Sequence, residues 1–157
     1  MYEPALYIRK PLESDADSLA QLIKRFYLFN EEFDPAWATV ENIDEATAEV
    51  AKKYIEGDGL TLVAVCDNEL IGYLRAEIRE NPVLATGKIG VITELYVIPS
   101  KRGRGIASRL VDEARNRFAE MGITHVAAEF PAKNFVAEAF YKKLKFREYS
   151  SVYLREV

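Results

Sequence analysis

Arg102-Gly103-Arg104-Gly105 is the stretch of this sequence whose residue types and spacing most directly offer chemistry. It lies within Val97-Ile98-Pro99-Ser100-Lys101-Arg102-Gly103-Arg104-Gly105-Ile106-Ala107-Ser108, between an apolar run and a long helical pattern. A glycine-containing turn that opens a helix leaves several backbone N–H groups unpaired and pointing one way, with the positive end of the helix dipole behind them. Such a turn is an anion site, and phosphate is the usual anion. Two carboxylates are candidate proton acceptors: Glu94, in the run before the loop, and Glu129, at the end of a later apolar run. A carboxylate near the centre of a sheet is costly to bury unpaired. Each should therefore face a cleft, water or a basic partner, as a general base or as half of a structural ion pair.

The loop also excludes two readings. It has no G-x-x-x-x-G-K-S/T string, so it is not a P-loop, and Ser108 stands where a dinucleotide fingerprint needs its third glycine.

The elements that must position these residues follow from periodicity. Ile89, Val91, Ile92, Leu95 and Val97 form a run too hydrophobic for a half-exposed strand, and Pro99, with no N–H for a ladder, ends it. Ile106, Leu110, Val111, Ala114, Phe118 and Met121 recur at helical spacing until Gly122 stops them. Upstream, 6–10 reads as a first strand. Ser14 or Asp15 caps a helix with an apolar stripe of Leu19, Leu22, Ile23 and Phe26, running to about residue 30. Residues 31–42 read as a loop, and Asp44 caps a second helix that ends at Gly57. Strands at 61–66 and 70–79 flank the polar turn Asp67-Asn68-Glu69 as a hairpin. A fifth strand is predicted at 124–130, a fourth helix at 134–144, and one or two β segments at 146–154. The order is β-α-α-β-β-β-α-β-α-β, without repeat or linker.

The 157 residues fit one domain, 1–157, able to bury roughly two thirds of the unfolded surface without disulfide staples. The single cysteine, Cys66, lies in an apolar run and reads as a small core residue, and the lone histidine, His125, as a surface or packing residue. No run approaches the ~18 apolar residues of a membrane span and no signal peptide opens the chain, so a soluble cytoplasmic protein is expected. The net charge of −4 argues against general nucleic-acid binding. Its distribution is polar: residues 100–109 hold four basic side chains and no acid, whereas Glu31, Glu32, Asp34, Glu41, Asp44, Glu45 and Glu49 fall in a stretch without Lys or Arg. One end suits an anion; the other suits a cation or is merely solvated.

Arg102-Gly103-Arg104-Gly105-Ile106-Ala107 resembles the (Q/R)-x-x-G-x-(G/A) pyrophosphate loop of the GNAT superfamily of N-acetyltransferases. The preceding Glu94-Leu95-Tyr96-Val97 and the downstream Asn134, Tyr141 and Phe146 are similar to that family's pattern in order and spacing, so the resemblance covers about 71–146. It implies an α/β (α+β) fold: a mixed, mostly antiparallel sheet with helices on both faces. It also implies acetyl-CoA as co-substrate and no metal.

The resemblance assigns parts as well. Backbone N–H groups of Gly103, Arg104, Gly105, Ile106, Ala107 and Ser108, with the charges of Arg102 and Arg104, would hold the diphosphate. Backbone groups of Leu95, Tyr96 and Val97 would pair with the pantetheine arm and donate to the thioester oxygen. Glu129 matches the position where protein N-terminal acetyltransferases of the family place a base, and Glu94 rivals it. Tyr141 matches the tyrosine that protonates the departing thiolate; a phenol of pKa about 10 serves a thiolate of about 8.5 only when held close. Asn134 matches an asparagine that fixes pantetheine or backbone, and is also a natural helix cap. With no cysteine matched to the site, direct attack in a ternary complex is expected rather than an acyl-enzyme.

The acceptor expected is a small cationic primary amine. The alternatives are a protein N-terminus or lysine and, in another class, a module that binds acetyl-CoA without turnover. A homodimer paired through terminal segments containing Val152, Tyr153 and Leu154 is compatible with the sequence.

Overall fold

The β-branched and aromatic runs form five strands in the computed structural model, which describes residues 5–157. These are β1 (Leu6–Arg9), β2 (Leu60–Cys66), β3 (Glu69–Glu80), β4 (Lys88–Val97) and β5 (Val126–Ala128). They lie in the order β1-β2-β3-β4-β5. The first four pair antiparallel and β5 joins β4 in parallel, so the sheet is mixed. Asp67 and Asn68 take positive φ in the β2–β3 turn, as the predicted hairpin needs.

The helices are α1 (Ala16–Asn30), α2 (Ile43–Glu56), α3 (Ile106–Glu120) and α4 (Phe135–Lys143). Two apolar layers separate them, because successive residues of a strand point to opposite faces. Val63, Val65 and Tyr73 meet Leu19, Ile23, Phe26 and Ala51 of α1 and α2 on one face. Leu62, Ala64, Leu74, Ile92 and Val97 meet Ile106, Leu110, Phe118 and Tyr141 of α3 and α4 on the other. Helices therefore cover both faces, as the resemblance implied.

Three boundaries differ from the sequence reading. Asp15 precedes α1, but its carboxylate turns back to the Leu12 amide (2.6 Å) and the Arg9 guanidinium (2.6 Å). Asn42 rather than Asp44 precedes α2, and Asp44 pairs with Lys24 at 2.7 Å. Residues 31–42, read as a plain loop, contain two 3-10 turns, Glu31–Phe33 and Pro35–Trp37.

The β segments expected at 146–154 are not formed. Lys145 takes φ 71° and reverses the chain after α4, the Phe146 amide bonds to the Tyr141 carbonyl (3.0 Å), and the Phe146 ring packs into the core. Beyond it Val152, Tyr153 and Leu154 stay exposed and join no strand among the described residues. β5 is also shorter than the predicted 124–130. Among the described residues, no helix is long and apolar enough to cross a membrane.

Candidate active site

The anion loop is built as its composition demands. Pro99–Lys101 makes a 3-10 turn, then Gly103 (φ 78°) and Gly105 (φ 76°) take left-handed conformations that a side chain would strain. α3 starts immediately afterwards. Among the described residues, the amides of 103–108 donate to no backbone carbonyl, and the first turn of α3 carries no acid. Six donors and the positive end of a helix dipole thus stand in one turn without competition from a local carboxylate. The Nε of Arg102 donates to the Val97 carbonyl (2.9 Å), and its guanidinium lies 5.3 Å from the Tyr96 ring centre and 5.8 Å from that of Phe29. Arg104 is exposed.

Beside the loop the sheet opens. β4 and β5 pair only through Gly90, Val91 and Ile92, and the last rung is the Glu129 amide donating to the Ile92 carbonyl (2.9 Å). β4 runs on to Val97 with β3 as its one partner. A register shift at Arg75/Ala76 leaves Thr93 as the extra residue of a bulge, which turns the strand. The Ile98 amide bonds to the Ile71 carbonyl (2.9 Å). By the alternation of an antiparallel ladder, the backbone groups of Leu95 and Val97 then face away from β3, toward the opening.

Glu94 lies on the α1–α2 face of β4 and is only 4% exposed. Tyr73 of β3 donates its hydroxyl to Oε1 at 2.8 Å, and Tyr54 of α2 donates to Oε2. Burial pushes the Glu94 carboxyl above the usual carboxylate range, opposed by the hydrogen bonds from Tyr54 and Tyr73 and by the charge of Arg75. The same neighbourhood raises the phenols: Tyr27 of α1 is pushed up to about 12, by burial first and then by Glu94, and Tyr54 and Tyr73 rise for the same reasons.

Glu129 is placed otherwise. Its carboxylate receives both guanidinium nitrogens of Arg79 in an exposed pair, one of them at 3.0 Å. Tyr141 of α4 is buried in a cluster of rings, stacked on Phe130 (5.5 Å, 9°) and edge-on to Phe140 and Phe146. Because Phe130 follows closely on β5, the phenol lies near the end of that strand. Burial raises its pKa, and no side chain among the described residues bonds to its hydroxyl. Asn134 caps α4 through the Ala137 amide (3.1 Å) and donates its side-chain amide to Asn30 (3.1 Å). His125 lies on the surface against Thr124, and Cys66 is buried.

A model of the acetyltransferase (GNAT) family matches residues 17–146. The chain belongs to that family. As a GNAT protein it is an acyltransferase that uses acetyl-CoA and acts on amines. An aminoglycoside N(6')-acetyltransferase type 1 of Acinetobacter haemolyticus is 28% identical over 120 residues, 74% of this chain and 80% of that one. Another from Salmonella typhimurium is 25% identical over 108 residues, 67% and 74% of the two chains. Among solved structures, an aminoglycoside N-acetyltransferase in complex with CoA has a TM-score of 0.81 at 19% identity, covering 99% of this chain and 97% of its own. A ribosomal-protein-alanine N-acetyltransferase from Brucella melitensis has a TM-score of 0.74 at 20% identity, covering 98% and 100%. The GNAT loop described above fits the diphosphate of the co-substrate, since its amides are unpaired and a Cβ at either glycine would meet nothing within 4 Å.

Several residues that surround Glu94 and Asn134 were not read from the sequence as candidate site residues: Tyr27, Tyr54, Tyr73, Arg75 and Asn30. Tyr73 and Arg75 alternate on one strand, a signal that two residues share a face, but only the register of β3 against β4 brings that face to Glu94. Tyr54 and Asn30 look like ordinary helix positions until the helices are docked.

Proposed function

We propose that this chain acetylates the primary amine of a small polycationic molecule of the aminoglycoside or polyamine class, by direct attack within a ternary complex. The observation that carries the reading is Glu94, a buried carboxylate held by two tyrosine hydroxyls beside the open part of β4. Support for the substrate class comes from the relatives named as aminoglycoside acetyltransferases and from the exposed acids Glu32, Glu41, Glu45 and Glu49 between the end of α1 and the middle of α2.

Acetyl-CoA supplies an activated acyl group on a thioester. The chain's own residues do the rest. Amides of 103–108 bind the diphosphate, and the backbone groups of Leu95 and the amide of Val97 orient the arm and offer a donor to the acyl oxygen, with Tyr96 between them. Glu94 accepts the amine's proton, and its burial makes it a stronger base than an exposed carboxylate. Because Glu94 itself is covered, that proton reaches it through the half-buried Tyr54 hydroxyl. Glu129, engaged by Arg79, serves the fold rather than the transfer. Tyr141, kept neutral by burial, returns a proton to the departing sulfur. Asn134 fixes the start of α4 and so the height of Tyr141.

Release of free thiol from acetyl-CoA, followed across aminoglycosides, polyamines, amino-acid derivatives and N-terminal peptides, tests the proposal. Turnover with polycationic small molecules is expected. Turnover confined to peptides would replace the substrate class, and binding without release on any amine would replace the enzyme by a binding module.

A further inference from the structure

Arg75 has no part in the reaction as described so far, yet its guanidinium occupies a built cradle. It is the cross-strand partner of Glu94 in the β3–β4 ladder. Its Nη1 donates to the Thr61 hydroxyl at 3.0 Å and its Nη2 to the Asp58 carbonyl at 2.7 Å. The guanidinium carbon lies 4.3 Å from the centre of the Tyr54 ring, the same ring whose hydroxyl donates to Glu94. Gly59 leaves the room for it: a Cβ there would sit 2.6 Å from Nη2. Nε is buried with no hydrogen-bond partner, a cost that a free surface arginine would avoid by turning to water. Arginine suits this role because it stacks and stays charged when partly buried.

The groups facing Glu94 are Tyr27 from α1, Tyr54 from α2, and Tyr73 and Arg75 from β3; Glu77 of β3 acts on Tyr27. Arg75 is the cation of that set. We propose that Arg75 is a positioning residue for acetyl transfer, a locked guanidinium that aims Tyr54 at Glu94 and holds a positive charge beside that carboxyl. The inference rests on Glu94 being the base. Arg75 touches no reacting atom and acts through the pair it holds.

The test is a titration of the Glu94 side-chain carboxyl by carbon-13 NMR in glutamate-labelled protein without ligand, the resonance assigned with Glu94→Gln. Arg75→Met should move its midpoint upward by about one pH unit or more, as loss of a nearby cation does for a carboxylate. The acidic limb of the kcat/KM profile should move with it, and Arg75→Lys should recover part of the shift. If Arg75→Met does not fold, Gly59→Ala crowds the guanidinium while keeping its charge and should raise the midpoint in the same direction. An unmoved midpoint in whichever of these variants folds overturns the role of Arg75. The two failures separate cleanly: lost rate in Glu94→Gln with an unmoved midpoint rejects Arg75 alone, whereas retained rate in Glu94→Gln rejects the base and with it any part for Arg75.

Discussion

The side-chain amide of Asn134 donates to the carboxamide oxygen of Asn30 at 3.1 Å, joining the end of α1 to the start of α4. Asn30 is 2% exposed, and its own amide donates to the Phe26 carbonyl at 2.9 Å. The bond ties the helix bearing Tyr27 to the helix bearing Tyr141. Asn30→Ala leaves a buried donor on Asn134 unpaired, which should cost about 1–3 kcal/mol in denaturant unfolding. A midpoint unchanged from wild type would show that water replaces the lost partner.

Glu94→Gln should lower kcat by about 10²–10⁴-fold, the range for losing a general base, whereas Glu129→Gln should leave kcat near wild type. The exposed Arg79–Glu129 pair is worth about 0–1 kcal/mol at most. Glu94 also sets a pH trend. Its carboxyl is raised by burial, so the stability it contributes is complete below the ordinary carboxylate range and lost as pH rises through its raised value. Thermal unfolding should therefore show Glu94→Gln gaining on wild type as pH rises toward neutral. Glu94→Gln losing ground to wild type as pH rises would contradict the assignment.

Tyr141→Phe removes a hydroxyl that bonds to no side chain among the described residues while keeping the ring on Phe130. Stability should stay within about 1 kcal/mol of wild type, since no hydrogen bond is lost. Acetyl-CoA affinity by calorimetry should be nearly kept, with kcat falling roughly 10²–10⁴-fold. An unaltered rate would remove Tyr141 from the mechanism.

Gly105→Ala places a methyl in open space, so its cost is the left-handed backbone alone, about 1–2 kcal/mol. If the turn relaxes to relieve that strain, the amides lose their common aim and acetyl-CoA affinity should drop roughly tenfold. Gly87→Ala carries the same kind of strain (φ 64°) away from the loop and should lose stability with affinity intact. Equal affinity in both variants would detach the loop from binding.

The sequence by itself determined the glycine loop, the strand before it, the helix after it and the order of elements as far as α4. Those features are local: periodicity, proline and glycine act over a few residues, and the free backbone amides at 103–108 depend on the turn alone. The closing β segments failed because 146–154 has strand-like residues but no ladder to join, and Phe146 gains more by packing on Tyr141. The choice between Glu94 and Glu129 also lay beyond the sequence, since both end up paired and only the partners differ. Tertiary structure decided that Glu94 meets Tyr54, Tyr73 and Arg75 while Glu129 meets Arg79, because strand register and helix docking bring together residues far apart in the chain. A carboxylate takes its basicity from that company.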